Sequence, residues 1–143
     1  MLYKIGELAK KANVSKRTID YYTQIGLLQV ESTSASNYRL YSEQSVEDIR
    51  FIEFCKELNM SLHDIKERLE LKRSGKQSGQ QQDKCLKQAE ILAAHMKQLE
   101  IEINELKPIF NRLNEDSQQK VSKQITPQSR ALMQSLLFLL QQF

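Results

Sequence analysis

The fold of this chain is decided by residues 5–28, IGELAKKANVSKRTIDYYTQIGLL. Apolar residues repeat at helical spacing in the first half of this stretch, and Ser15 is a favoured N-cap residue for a second helix. Ile19 and Tyr22 share one face of that second helix. Residues 12–14 separate the two helical stretches. Two short helices joined by a three-residue turn have the dimensions of a helix-turn-helix.

The residues that follow predict a wing and two more helices. Gly26 closes the second helix, and residues 29–41 place apolar residues on either side of the polar segment ESTSASN. This alternation around a polar turn predicts a small β-hairpin, called a wing. Residues 42–59 and 61–71 repeat apolar residues at helical spacing and predict two further helices. Residues 1–71 are therefore predicted to form a winged helix-turn-helix domain that binds DNA.

The longest regular pattern in the sequence is an apolar seam in residues 85–114. Apolar residues there alternate at spacings of four and three, which is the a/d pattern of a coiled coil about four heptads long. Nothing else in the chain is large enough to bury the seam, so we expect its partner to be a second copy in a twofold homodimer. The predicted dimerisation residues are Ala89, Leu92, Met96, Leu99, Ile103, Leu106, Phe110 and Leu113.

The segments on either side of the seam are predicted to be less regular. Residues 72–84, KRSGKQSGQQQDK, hold two glycines and no apolar residue, and they predict a flexible link. Residues 115–143 predict a tail in which a polar stretch up to Thr126-Pro127 precedes a short amphipathic helix over residues 129–143. That helix either covers an effector cavity on the dimerisation helix or seals exposed apolar surface, and the second role is favoured. The predicted fold class is mainly α.

Charge and composition restrict the function. The net charge is +3, and residues 1–41 carry this whole excess, with six basic and three acidic residues. Phosphate contacts are therefore expected in the N-terminal third. The sequence offers no nucleophile–base pair, carboxylate dyad or glycine-rich phosphate loop, so we expect neither an enzyme nor a cofactor. The N-terminus lacks the apolar core of a signal peptide, and the longest apolar run, at residues 136–140, is too short to span a bilayer. We expect a cytoplasmic protein with no membrane partner.

Several blocks, in order and at matching spacing, resemble the mercury-resistance-regulator (MerR) family of bacterial transcription factors. The blocks are KIGELA at 4–9, VSKRTIDYY at 14–22, IGLL at 25–28 and NYRLY at 37–41. The resemblance covers residues 4 to about 71 closely, and it extends to the dimerisation helix by position and periodicity, which implies an antiparallel coiled coil. Two positions depart from the family pattern, since Asp20 replaces a common Arg and Asn59 replaces a common Gly. Asn also adopts left-handed turns, so the second departure changes little.

The resemblance and the helix-turn-helix together give a set of DNA-contacting residues. The N-terminal part of the second helix enters the major groove, where Arg17 is suited to guanine and Lys16 to phosphate. Asp20 is expected to fix the rotamers of those two residues, and the wing is expected to contact phosphate and sugar. For Tyr22 and for Tyr41, a DNA contact and a position in the core are equally expected. The predicted set is Ser15, Lys16, Arg17, Thr18, Tyr21, Tyr22, Asn37, Tyr38, Arg39 and Tyr41.

The resemblance also implies a mechanism. Family members bind a palindromic site between the −35 and −10 promoter elements, whose spacer is too long for RNA polymerase to engage both. When a small effector binds, the protein bends and untwists the DNA, which realigns the elements, so polymerase is an indirect partner. Activation is therefore predicted. The alternative is an architectural DNA-binding protein that coats many sites and needs no effector.

The effector itself is not identified by the sequence. Soft-metal sites need two or three thiolates, and no cysteine follows Cys85, so no metal site is predicted. Cys85 is either an apolar residue of the seam or a sensor of redox or electrophile signals, and the first role is favoured. Cys55 falls in a helical apolar stripe and is predicted to be core. His63 and His95 are predicted to be solvated or capping residues.

Overall fold

A computed structural model of the chain describes residues 1–74 and 79–143. Contacts within the chain divide it into two compact units, Met1–Glu90 and Ile91–Phe143. The predicted mainly α class with a small β-sheet is confirmed. The elements in chain order are β1 (Leu2–Lys4), α1 (Ile5–Ala12), α2 (Lys16–Gln24), β2 (Ser32–Thr33), β3 (Arg39–Ser42), α3 (Glu43–Glu57), α4 (Leu62–Arg73), α5 (Gly79–Asn111) and α6 (Glu115–Leu140).

The predicted helix-turn-helix is present as α1 and α2. Asn13 ends α1 in the left-handed region, at φ 57°, and the next residues turn the chain into α2. Ser15 caps α2, since its Oγ accepts a hydrogen bond of 3.0 Å from the Thr18 N–H. This bond satisfies one of the unpaired amide groups at the helix start. The cap therefore fixes where the second helix begins.

The wing is a hairpin of β2 and β3, to which the structure adds a third strand. Strands β2 and β3 pair antiparallel, and Asn37 lies in their turn at φ 66°. Strand β1 pairs with the other edge of β3, with Tyr3 opposite Tyr41, so the strand order is β1-β3-β2. The sequence analysis did not predict β1, because three residues are too few to show alternation. The wing is thereby joined to the start of α1.

The core of the first unit lies between the helix-turn-helix, the sheet and the helix pair α3–α4. Asn59 turns the chain between α3 and α4 at φ 61°, which confirms that Asn takes the left-handed turn here. Ser61 caps α4 by accepting a hydrogen bond of 3.1 Å from the Asp64 N–H. The buried apolar residues are Tyr3, Leu8, Ala9, Ile19, Tyr22, Leu27, Leu28, Tyr41, Val46, Ile49, Ile52, Cys55, Ile65 and Leu69.

The flexible link predicted over residues 72–84 is wrong at both ends. Helix α4 continues to Arg73, and α5 begins at Gly79 rather than at residue 85; residues 75–78 lie outside the described part of the chain. The Gln-rich start of α5 has good helix propensity, and side chains hold it against α4. Arg68 Nε donates to Gln88 Oε1 at 2.6 Å, and Lys87 Nζ lies 3.1 Å from Asp64 Oδ1. The first unit accordingly extends to Glu90.

The tail predicted over residues 115–143 is also more regular than expected. Asn114 caps α6 by accepting a hydrogen bond of 2.8 Å from the Ser117 N–H, and the helix runs from Glu115 through Pro127 to Leu140. The expectation of a short helix from residue 129 is therefore wrong. Pro127 removes one amide donor, but Lys123, whose carbonyl loses that donor, is exposed, so water can satisfy it. Within the described residues, no helix combines the length and apolar character needed to cross a bilayer.

Candidate nucleic-acid interface

The outer face of α2 carries the residues predicted to enter the major groove. Ser15, Lys16 and Arg17 are exposed, and Tyr21 is 47% exposed, whereas Ile19 on the opposite face is fully buried. Thr18 is half-buried, and its hydroxyl lies 2.9 Å from Ser15 Oγ. The helix therefore presents the fork of Arg17 and the ring of Tyr21 to solvent on the face opposite the core.

A concave surface connects this face with the turn between α3 and α4. Its volume is about 700 Å³, and four of its residues (Lys56, Asn59, Met60 and Leu62) are not in the predicted set of DNA contacts. The Lys56 ammonium lies 5.6 Å from the centre of the Tyr22 ring, and it donates to the Tyr22 hydroxyl at 3.1 Å. This places a second positive charge, after that of Arg17, on the concave surface. The lining residues are Ser15, Arg17, Thr18, Tyr21, Tyr22, Lys56, Asn59, Met60 and Leu62.

Tyr22 and Tyr41 are core residues. From the sequence, a core position and a DNA contact were equally expected for each of them. Tyr22 is 1% exposed and donates a hydrogen bond of 2.7 Å to Glu53 Oε1. Burial, and then this bond to Glu53, raise the pKa of the Tyr22 hydroxyl above its ordinary value. Tyr41 is fully buried, and its hydroxyl lies 2.9 Å from Thr23 Oγ1. Their polar atoms are therefore engaged inside the domain, and a DNA contact of either residue stays a prediction.

Asp20 pairs with the wing and not with its helical neighbours. Arg39 Nη2 donates to Asp20 Oδ1 at 2.5 Å, and Gln24 Nε2 donates to Asp20 Oδ2 at 3.1 Å. The hydrogen bond that Arg39 donates to Asp20 raises the pKa of Arg39 against the effect of partial burial. The expectation that Asp20 fixes the rotamers of Lys16 and Arg17 is therefore wrong. The pair instead joins α2 to β3.

The tip of the wing presents an aromatic ring beside a lysine. Asn37 holds the turn, and Tyr38 is 59% exposed. The Lys4 ammonium lies 5.5 Å from the centre of the Tyr38 ring. The sequence analysis did not include Lys4, because its proximity to the wing arises from the pairing of β1 with β3. Lys4, Tyr38 and Arg39 therefore form a basic edge suited to phosphate and sugar contacts.

The predicted dimerisation residues lie on α5 and are largely uncovered in the single chain. Leu92 and Leu99 are each 40% exposed, and Leu106 and Phe110 are half-buried. An apolar seam of this length that its own chain covers only in part is costly in water. The remaining residues of the predicted seam are the exposed Ala89, Met96, Ile103 and Leu113.

The two thiols differ in their surroundings. Cys55 is fully buried in α3, as predicted, and burial raises the pKa of its thiol. Cys85 is half-buried on α5.

Among the described residues, one group has the geometry of metal ligands: atoms of His63, Asp64 and Glu67 lie within 4.8 Å of one another. The Lys87 ammonium lies 3.1 Å from Asp64 and 3.6 Å from Glu67. The two carboxylates therefore form an ion-pair network with Lys87.

Comparison with known proteins agrees with this geometry. The family model described as MerR HTH family regulatory protein matches residues 3–72, and the one described as MerR, DNA binding matches residues 46–115. The HTH-type transcriptional regulator CueR of Bacillus subtilis is 37% identical over 138 residues, which cover 96% of this chain and 92% of that protein.

Two solved structures have the same fold. The transcription regulator PbrR691 of Ralstonia metallidurans, in complex with lead(II), matches with a TM-score of 0.56 and 30% identity over 75% of this chain and 79% of its own. HiNmlR, a MerR family regulator bound to promoter DNA, matches with a TM-score of 0.55 and 21% identity over 92% of this chain and 91% of its own. These proteins are transcription regulators and not enzymes. This chain therefore belongs to the MerR family of bacterial DNA-binding transcription regulators.

Proposed function

We propose that this chain is a homodimeric promoter regulator that activates transcription by distorting an over-long promoter spacer when a small effector binds. The observation that carries the proposal is the exposed face of α2, where Lys16, Arg17 and Tyr21 stand clear of the core beside the basic wing. Promoter DNA lies in the bacterial cytoplasm, so a cytoplasmic location is part of the proposal.

The DNA contacts divide into two kinds. Arg17 projects from the N-terminal turn of α2, where a guanidinium can bind both acceptors of a guanine. Lys56 lines the same concave surface as Arg17, Lys16 precedes Arg17 in α2, and Lys4 lies beside the wing; each is a point charge, which suits phosphate. The first kind discriminates between sequences, and the second sets the position of the domain on the duplex. This division supports a sequence-specific regulator over an architectural protein.

The second unit supports the homodimer. None of the residues from Ile91 to Phe143 is buried, although many are large and apolar. The chain exposes 10761 Å². A compact monomer of 16.7 kDa exposes about 7,600 Å² by the usual scaling of surface with mass. The difference of about 3,000 Å² per chain, or about 6,000 Å² for a pair, lies at the upper end of the total area that obligate dimers bury.

We propose an antiparallel arrangement of that dimer, as the resemblance to the MerR family implies. Two of the three lysines in residues 84–97, Lys84 and Lys87, pair with acidic residues of α4 in the same chain, so charge along α5 adds no argument for either direction. An antiparallel rod also places the two DNA-binding units at opposite ends, as a palindromic site requires.

The proposed effector differs from that of the lead(II)-bound regulator. Within this sequence α5 carries one cysteine, Cys85, and the other, Cys55, is enclosed in the core of the first unit. Soft metals need two or three thiolates on one ion. We therefore propose that the effector binds without a thiolate cluster. Replacement of Cys85 by Ser tests this: we expect full induction, and loss of induction with intact DNA binding would make the thiol the sensor.

The proposal is tested by footprinting followed by transcription in vitro. The purified protein is first used to select genomic DNA fragments, and the selected promoters are then footprinted. We expect protection of a palindrome that spans the −35 to −10 spacer, and transcription above the basal level once the inducer is added. Broad protection along any duplex supports the architectural alternative, and transcription that never exceeds the basal level contradicts activation.

A further inference from the structure

Helices α5 and α6 line one continuous apolar cleft within the second unit. Two adjoining cavities, of about 790 and 590 Å³, share the lining residues Leu99, Ile103 and Leu132. Together they extend along α5 from Leu92 to Asn111, a distance of about 30 Å at the rise of an α-helix. The cleft is therefore an elongated groove between two helices.

The α5 side of this groove consists largely of the predicted dimerisation seam. Six of the eight seam residues line it: Leu92, Met96, Leu99, Ile103, Leu106 and Phe110. The surface predicted to contact a second copy therefore faces α6 across the groove. Whatever covers the seam must also contact α6.

The α6 side is apolar and carries no charge. It presents aliphatic residues separated by small hydroxyl and amide side chains. A charged partner would lose its hydration against such a wall without gaining an ion pair, whereas an apolar helix can pack closely on it. Its aliphatic residues are Val121, Ile125, Leu132, Leu136 and Leu139.

The groove is not closed by its own chain. No residue of α6 is buried, and Leu139, although it lines the groove, is 36% exposed. The C-terminal helix was expected to seal exposed apolar surface; in the single chain it lies opposite the apolar face of α5 and leaves the groove open, so that role stays a prediction. A pocket for a small molecule encloses most of its ligand, whereas this groove is open along its length.

We propose that the α5 helix of a second copy occupies the groove, so that α6 is a dimerisation element and the dimer core contains four helices. This inference rests on the homodimer proposed above and adds α6 to its interface. Three observations carry it: the shared lining residues, the uncharged α6 wall, and the surface of about 3,000 Å² in excess of a compact monomer. A two-stranded coiled coil would leave the α6 wall exposed to water.

Two leucine pairs on α6 make a matched test. Leu136 and Leu139 line the groove, whereas Leu137 and Leu140 belong to the same helix turns but not to its lining. The variants Leu136→Ser with Leu139→Ser, and Leu137→Ser with Leu140→Ser, lose the same apolar volume. Sedimentation equilibrium of the full-length chain gives the dimer dissociation constant, and far-ultraviolet circular dichroism checks helix content.

We expect the groove pair to raise the dimer dissociation constant at least about tenfold and the control pair to change it by less than about threefold. Equal effects from the two pairs, or none from either, would overturn the inference. The single variant Leu99→Ser distinguishes the role of α6 from the α5 homodimer on which that role rests. If it dissociates the dimer and the groove pair does not, only the role of α6 fails. If it leaves the dimer intact, the α5 homodimer fails as well.

A photo-crosslinker at Ser135, which lines the groove, identifies the occupant directly. The expected product is a crosslink between subunits that maps to α5 of the partner, when one subunit carries an isotope label. Crosslinks confined to one chain, with none between subunits, contradict the inference. Protection of Ser135 by an added apolar dye, without any crosslink between subunits, would show that the groove holds a small molecule instead.

Discussion

The carboxylate of Asp20 on α2 and the guanidinium of Arg39 on β3 are joined by an ion pair of 2.5 Å. Gln24 also donates to Asp20. The pair connects the helix proposed to enter the major groove with the wing proposed to lie on the backbone. Arg39 is therefore held in one orientation, and its charge is balanced before any phosphate approaches. We infer that the pair positions the wing and limits indiscriminate attraction to DNA.

The first prediction concerns Asp20→Asn. Removal of the carboxylate releases Arg39 and adds one positive charge to each DNA-binding face. We expect the magnitude of the salt-dependence slope, log Kd against log salt, to rise by about one per subunit, with a smaller affinity ratio between specific and scrambled duplexes. Fluorescence anisotropy over a salt series measures both quantities.

The control for Asp20→Asn is Glu31→Gln, which removes the same charge from an exposed residue before the wing. We expect this variant to bind more tightly through charge alone, with the affinity ratio for specific over scrambled duplexes unchanged. If both variants behave alike, the Asp20–Arg39 pair has no role in positioning.

The second prediction separates base contacts from phosphate contacts on α2. Arg17→Ala is expected to cost about 1–3 kcal/mol on the specific site and to relax the preference at one base position. Lys16→Ala is expected to weaken specific and non-specific binding alike and to lower the salt slope by about one per subunit. Binding to a set of single-base operator variants checks the difference. The assignment fails if the two substitutions give the same profile.

The third prediction concerns Tyr22, which the structure places in the core. Tyr22→Phe removes the hydrogen bond that Tyr22 donates to Glu53 and the one that it accepts from Lys56, so we expect a loss of about 1 kcal/mol in the free energy of unfolding. DNA affinity should be unchanged, because the ring remains in place. Tyr21→Phe, on the exposed face, should leave stability unchanged. Urea unfolding and anisotropy measure the two properties, and a selective loss of DNA affinity in Tyr22→Phe would restore the contact role.

These outcomes show which features the sequence could predict. Local patterns were sufficient for the helix-turn-helix, whose cap Ser15 and left-handed Asn13 lie within a few residues of each other. The Asp20–Arg39 pair spans 19 positions, and it could not be predicted because nothing local distinguishes Arg39 from Lys16 or Arg17 as the partner. Tyr22 was undecided because a tyrosine has both an apolar ring and a polar hydroxyl.

Errors in the second half of the chain have a different cause. Glycine and glutamine after α4 indicated a link, but residues from Gly79 onward are helical and held by contacts with α4. Pro127 indicated a helix boundary, and the structure continues α6 through it. In both places the residues that favour a break in the helix are outweighed by the helix propensity of the residues around them. The role of the apolar α6 wall became visible only when its position opposite α5 was known.

The fourth prediction concerns the acid sensitivity of the α4–α5 contact. Partial burial acts to raise the pKa of Asp64, but its interactions with Lys87 and Ser61 hold that pKa below the ordinary value of 3.8. Because the pKa of Asp64 is lowered in the folded state, the ion pair stabilises the protein at pH values above the pKa that Asp64 has in the unfolded state. This contribution is lost as the pH falls through the folded-state value.

We therefore expect stability to decline in the acid range below about pH 4 and the Asp64→Asn variant to decline less there. Hydrogen bonding to Asp64 raises the pKa of Lys87, so Lys87 stays charged at neutral pH and does not affect the acid range. Unfolding free energies from urea titrations between neutral and acid pH provide the measurement. A variant whose pH profile overlays that of the parent protein is inconsistent with the assignment.

The central claim is that two basic DNA-binding units, joined through α5, recognise one palindromic promoter site. The most direct measurement is sequencing of the genomic DNA that the purified dimer retains at physiological salt. We predict a small set of fragments, each with an inverted repeat between −35 and −10 elements separated by an over-long spacer. Retention of DNA in proportion to its abundance, with no shared repeat, would contradict the account.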